Sequence, residues 1–300
     1  MEKRVIAIMY DFDKTLCTTN MQEYAFIPNL GMDVNSFWNE VVSIAKENKT
    51  DRILTYMYLM IEKMSLIGLP LTREYLVDTG KNMVLFPGVS ELFERINAYG
   101  EQLGMQVEHY VISSGIKEII EGSEITKYFK EVYAGEFLYD EQGHAVWPKR
   151  SVNYTNKTQF LFRINKGLLD LADDNSLNKR MDHDERRIPT SNMIYIGDGI
   201  TDVPCMKLTK DGGGISIAVY TDKSFKTAQS LLDDGRINYM TPANYEEGKE
   251  LDQIMKQIIS KMAFDAEFKN TSSQIKDLDE KIEKEENVKK RKKVLEKGRV

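Results

Sequence analysis

Short, wholly apolar runs alternate along this chain with longer segments whose apolar residues recur at helical spacing. The first run fills residues 4–10 and is apolar and β-branched without strict alternation, the pattern of a strand covered on both faces. Residues 17–85 change character. "SFWNEVVSIAKEN" and "DRILTYMYLMIEKMSLIG" place apolar residues three and four apart, and no strand signal interrupts them, so an insert of three or four helices is predicted. "FPGV" at 86–89 marks a turn, and Ser90 opens an amphipathic helix, "SELFERINAYGEQLG". Strands are predicted at 107–113 and near "EVYAG", followed by a hairpin over 135–148, a helix over 157–172 and a polar surface loop up to residue 191. "NMIYIGDG", "GGGISIAVY" and "RINYM" supply further strands. Strands alternating with helices imply right-handed crossovers and an α/β fold: a Rossmann-like, mostly parallel sheet core with a small helical cap inserted after the first strand. The core is assigned to 1–16 and 86–268 and the cap to 17–85, with hinges near Leu16–Thr19 and Leu85–Gly88. From 269 to 300 apolar residues are sparse and charges of both signs interleave, which predicts a charged helical or disordered tail.

Composition narrows the function classes. The length of 300 residues suits one large domain or two smaller ones, and 41% hydrophobic content is ordinary for a globular protein. A net charge of −6 gives no overall basic field to draw the chain to nucleic acid or anionic lipid. No apolar stretch approaches the roughly 20 residues of a membrane span. Asp11 cuts the first apolar run short, so it is not read as a signal peptide. Cys17 and Cys205 are the two cysteines, neither a disulfide framework nor a metal pattern, and a reducing cytoplasm is the expected compartment.

The chemistry gathers at predicted strand ends, where parallel sheets place their sites. "YDFDKTL" puts Asp11 and Asp13 behind the first strand. Alternation sends i and i+2 to one side, so two anions crowd one spot, a costly arrangement unless a cation or a proton-transfer task uses it. The bland alternative is that these aspartates close a turn. "ISSG" ends the second strand with Ser113 and Ser114 before a helix start, a ready anion site. "GDGITD" adds Asp198 and Asp202, and four converging carboxylates need a hard cation such as Mg²⁺. Lys157, at the start of its helix, is the best-placed positive group; alone it would read as a surface lysine.

"DFDKT", "VISSG", "NKTQFL" and "YIGDGITD", in that order, resemble the four motifs of the haloacid dehalogenase-like hydrolases, and the chain is most similar to the phosphoserine phosphatase-like subgroup over about residues 1–265. The resemblance implies a Mg²⁺-dependent phosphomonoester hydrolase acting on a small phosphorylated metabolite through an aspartyl-phosphate. Asp11 would be the nucleophile and Asp13 the general acid and base, with the Asp13 backbone carbonyl on Mg²⁺. Ser113, Ser114, Gly115 and Lys157 would bind the phosphate. Asp198 would bind Mg²⁺ directly, and Asp202 would do so through water or steady the lysine. Thr15 would support the loop. Phosphoserine phosphatases carry a carboxylate soon after the first motif and an arginine in the cap. Here Asn20 stands near the first place and Thr55 and Tyr56 near the second, with Glu23 and Arg52 close by, so the substrate is left open. Tyr24, Phe26, Trp38, Tyr56 and Tyr58 are candidates for the pocket lining or for cap core. His109, His144 and His183 have no metal-site spacing. A phosphotransferase or phosphomutase of the same fold, and a non-catalytic phosphometabolite-binding protein, are the alternatives. An oligomeric contact through the tail or the cap is left open.

Overall fold

Alternate residues of the first strand bury against opposite cores. Ile6, Ile8 and Tyr10 enter one cluster, and Ala7 and Met9 enter the other. This explains its uninterrupted apolar run: the strand lies at the centre of the sheet with cover on both faces. The computed structural model describes residues 4–182, 185–268 and 271. Its strands are β1 Arg4–Tyr10, β2 Met105–Ile116, β3 Phe129–Tyr139, β4 Ala145–Arg150, β5 Met193–Gly197, β6 Ile215–Tyr220 and β7 Tyr239–Pro242. They form one sheet in the order β4-β3-β2-β1-β5-β6-β7. Every neighbouring pair is parallel except β3 with β4. The mostly parallel sheet read from the sequence is therefore present, and the chain reverses its direction of growth between β1 and β5.

Helices α1 Phe26–Asn29, α2 Val34–Asn48, α3 Arg52–Leu66 and α4 Arg73–Gly80 lie between β1 and α5, Val89–Gln102. The starts of α2, α3 and α4 are written in the sequence. Asp33 accepts from Ser36 N at 2.9 Å, Asp51 from Ile53 N at 2.7 Å, and Thr72 from Tyr75 N at 3.2 Å. The chain enters and leaves this segment side by side. Phe86 N donates to Leu16 O at 2.9 Å, and Thr18 N donates to Val84 O at 3.0 Å. The Tyr24 hydroxyl fastens the crossing, accepting from Thr19 N at 2.7 Å and lying 2.8 Å from Thr18 Oγ1.

α6 Lys117–Glu121 follows β2, α7 Thr158–Lys166 and α8 Asp174–Asn178 precede β5, and α9 Val203–Asp211 and α10 Phe225–Asp233 flank β6. A last helix, α11, covers 250–268. Three expectations need correction. The helix expected over 157–172 stops at Lys166, because Gly167 caps it at φ 74°, and Arg163 Nη1 then holds the returning chain at Asp170 O, 2.7 Å away. The expected loop after it contains α8, started by Asp173 accepting from Ser176 N at 2.9 Å. The strand expected at "RINYM" begins at Tyr239, since the turn through Gly235 (φ 67°) uses the preceding residues. The tail expected over 269–300 and His183 lie outside the described residues, apart from Thr271.

Gly88 joins the helical segment to α5 at φ 79°, and a Cβ there would stand 2.2 Å from Glu246 N. Gly143, at φ 80°, has nothing within 4 Å of such a Cβ. Gly143→Ala is therefore expected to lose about 1 kcal/mol, the left-handed penalty alone. Gly88→Ala is expected to lose at least about 2 kcal/mol, because backbone must also move. Urea midpoints of the two variants check the difference, and equal losses would contradict it.

Candidate active site

The C-terminal ends of β1 and β5 bring the acids together. Asp11 N donates to Ile196 O at 2.9 Å, which locks the end of one strand to the other. Beyond Asp11 the chain folds sharply, with the N–H groups of Leu16 and Cys17 donating to Phe12 O at 2.9 and 3.2 Å. Lys14, at φ 58°, occupies the left-handed region in this turn, a strained setting for a residue with a Cβ. After β5, Gly197 lies so close to Asp202 that an added Cβ would meet its Oδ2 at 2.5 Å. Asp11, Asp198 and Asp202 each offer an oxygen, all within 4.8 Å of one another.

Lys157 caps the start of α7 and sends its side chain inward with no exposed surface, so the surface-lysine reading is overturned. Its Nζ donates to Asp202 Oδ1 at 2.7 Å and stands 3.1 Å from Asp11 Oδ1. Burial alone would push the ammonium down the pH scale, but the charges of Asp11 and Asp202 reverse this and hold it above the ordinary lysine range. Asp202 Oδ1 also accepts from the Tyr195 hydroxyl at 2.8 Å. The sequence reading missed Tyr195. A signal for it exists, because Tyr195 shares a strand face with Gly197, two positions on, in the otherwise aliphatic "MIYIG".

The Asp13 carboxylate is not in the cluster with Asp11, Asp198 and Asp202. Its Oδ1 accepts from Met21 N at 2.8 Å, so the side chain faces the start of the helical segment. This separates it from the expected metal set, where only its backbone carbonyl had been assigned. Ser113 is fully buried, and its Oγ accepts from Gly115 N at 3.0 Å. Ile116 N lies 3.1 Å from Met21 Sδ. The N–H groups of Gly115 and Ile116 are thus engaged, and α6 opens only at Lys117, three positions beyond Ser114. Gly115 has no room for a Cβ, which would meet Met21 Cε at 2.1 Å and Asp13 Oδ2 at 3.3 Å. The Thr15 hydroxyl is buried without a hydrogen-bond partner among the described residues, and Thr15 O accepts from the Tyr245 hydroxyl at 2.6 Å.

Of the candidate lining aromatics, Phe26 and Tyr56 are buried. The Tyr56 hydroxyl donates to Ser114 O at 2.6 Å and ties α3 to the segment after β2. Trp38 lies edge-on to Tyr56, with ring centres 5.9 Å apart, and donates to Glu23 Oε1 at 2.9 Å. Asn20 Nδ2 donates to the same oxygen. Tyr58 is exposed and bonds Glu62, away from the acids, and Arg52 is exposed. Both cysteine thiols are free and buried, and burial pushes each above its ordinary pKa. His109, between Tyr10 and Asn97, is satisfied core.

The profile of the haloacid dehalogenase-like hydrolases matches residues 8–207. The chain belongs to that family. It is 30% identical over 284 residues to an uncharacterized protein of Borreliella burgdorferi, spanning 85% of this chain and 97% of that one. Among solved structures it is similar to a HAD family hydrolase from Salmonella enterica serovar Typhi (TM-score 0.54, 17% identity, 81% of this chain and 71% of that one). It is also similar to a phosphoserine phosphatase solved as a phospho-aspartyl intermediate analogue (TM-score 0.51, 15% identity, 85% and 99%). At these identities the likeness to the solved structures is one of fold. Among the described residues no helix is long and apolar enough to cross a membrane.

Desolvation, followed by repulsion from neighbouring carboxylates, holds Asp11 at about 6, Asp13 at about 7 and Asp198 at about 8. These values lie above the unfolded carboxylate range near 4. The contribution of the three groups to stability is therefore full below about pH 4 and is lost as pH rises through about 6 to 8. In chelator, the melting temperature is expected to fall from pH 5 to pH 8.5, and Asp198→Asn is expected to flatten part of that fall. Identical slopes in the two proteins would contradict it.

Proposed function

We propose that the protein is a Mg²⁺-dependent phosphomonoester hydrolase acting on a small phosphorylated metabolite in a reducing, cytoplasmic setting. The observation that carries this reading is the buried Lys157 between Asp11 and Asp202, with Asp198 completing a cluster of oxygens within 4.8 Å. One ammonium against three acids leaves an excess of negative charge, so this donor set fits a hard divalent ion. Asp11, Asp198 and the backbone carbonyl of Asp13 would hold it, and it would neutralise charge on a transferring phosphoryl group.

In this reading Asp11 attacks phosphorus and forms an aspartyl-phosphate, while the leaving oxygen takes its proton from Asp13. Asp13 suits that task, since burial and the Asp11 charge hold its carboxyl at about 7. The ionised Asp13 then takes a proton from water attacking the aspartyl-phosphate. Lys157 and Ser113 orient the phosphoryl oxygens, and Asp202 positions Lys157 with Tyr195 behind it. Residues 17–85 act as a cap that excludes water, held down by Tyr56 on Ser114 O and by Met21 on Gly115. The carboxylate of Glu23 is bonded to Trp38 and Asn20 within the segment.

Purified protein is expected to release phosphate from 4-nitrophenyl phosphate with Mg²⁺ and to lose that activity in chelator. Asp11→Asn is expected to reduce turnover by at least about a thousandfold with its melting temperature retained. Mg²⁺ is also expected to raise the melting temperature, more at pH 8 than at pH 5.5, because binding releases protons from the cluster. Turnover within tenfold of the parent in Asp11→Asn would overturn the nucleophile assignment.

A further inference from the structure

At the N-terminal ends of the central strands, opposite the acids, a cleft of about 540 Å³ opens between the start of β1, the segment before β5 and α11. Arg4, Arg186, Arg187 and Lys261 line it. Two of these cations are already matched. Arg187 reaches both oxygens of Glu108 at 2.7 and 2.5 Å, and Lys261 pairs with Asp265 at 2.6 Å. Arg4 and Arg186 have no carboxylate partner among the described residues. Arg186 Nε is buried with no hydrogen-bond acceptor at all among them. A buried guanidinium donor left unpaired, as at Arg186, is costly, and in a chain of net charge −6 two arginines without a carboxylate partner in one cleft are a local exception.

We propose that this cleft is a second ligand site, taking a small organic molecule that carries a phosphate group. Guanidinium forks match phosphate oxygens in pairs, so Arg4 and Arg186 receive the phosphate, with the hydroxyl of Ser191 beside them. Val5, Pro189 and Phe268 give the rest of the wall an apolar character suited to an organic body. The cavity is within the size range of small-molecule sites and larger than a bare phosphate needs. Arg4 begins β1 and Asp11 follows its end, so the seven residues of the strand separate the two sites by about 20 Å. A ligand here does not touch the reacting atoms, and the proposal does not depend on the phosphatase reading.

The test is calorimetric titration in chelator of the Asp11→Asn protein with adenosine 5′-monophosphate and, separately, with inorganic phosphate. The same titrations are made with Arg4→Gln and Arg186→Gln added. The nucleotide is expected to bind, and the two added substitutions to weaken it about tenfold or more. Phosphate alone is expected to bind more weakly with the same dependence on the arginines. If the double substitution unfolds, Arg4→Gln alone, at the strand start, gives the same comparison. Equal affinity with and without the arginines, or no binding of either anion, would overturn the site. Binding of phosphate but not of the nucleotide would overturn its assignment to an organic phosphate. Turnover of 4-nitrophenyl phosphate by Arg4→Gln/Arg186→Gln is expected within twofold of the parent. Absence of turnover in both would count against the hydrolase reading and leave the titration unaffected.

Discussion

A fully buried ammonium between two carboxylates is the contact on which the rest of this structure depends. Lys157 lies 2.7 Å from Asp202 and 3.1 Å from Asp11, and none of its surface reaches solvent. Removing the ammonium from such a buried set costs about 3–5 kcal/mol, because its carboxylates are then left without a counter-charge or water. Three separated stretches must therefore arrive together: the end of β1, the start of α7 and the turn after β5. The parallel pairing of β1 with β5 and the Asp11 N to Ile196 O bond set two of them, and the turn ahead of α7 sets the third. Tyr195 fixes the orientation of Asp202 from within the β5 face.

The same cluster carries more negative charge than Lys157 offsets. Burial and mutual repulsion hold Asp11 and Asp198 above the ordinary carboxylate range. Such a site is tuned against its own stability, and it gives up part of the fold's margin to keep acids poised near neutral pH. Two things relieve the strain, a proton or a divalent cation, and each belongs to the chemistry of phosphoryl transfer. Asp13, set apart by its bond to Met21 N, is held near neutral pH by burial and by the Asp11 charge, which outweigh the pull of that bond toward the ionised form.

Much of the fold was legible because burial on both faces forces continuous apolar strands, and β1, β5 and β6 read plainly. Helix ends were less so. The stop of α7 at Gly167 depends on a left-handed glycine and on Arg163 folding back, and neither alters the apolar period. The late start of β7 follows from the turn after α10. At the site, the spacing of Asp11 with Asp13 and of Asp198 with Asp202 announced the acids, since strand ends followed by tight turns leave such residues few other places. Tyr195 and Met21 stayed hidden. Each looks like an ordinary core residue until the neighbouring element is in place, and each owes its role to contacts across the fold. The cleft at Arg4 and Arg186 was likewise invisible, because its two arginines lie far apart in the sequence.

The claim that matters most is that Asp11 carries the phosphoryl group. Radiolabelled 4-nitrophenyl phosphate, a substrate whose leaving group needs no acid, reaches that step even in Asp13→Asn, where attack by water is slowed. Rapid acid quench of that variant with Mg²⁺, followed by peptide mapping, reads the acceptor directly. The account predicts a hydroxylamine-labile label on the peptide containing Asp11, absent when Asp11 is also changed to Asn. Label on any other residue, or turnover with no label on the protein, would contradict it.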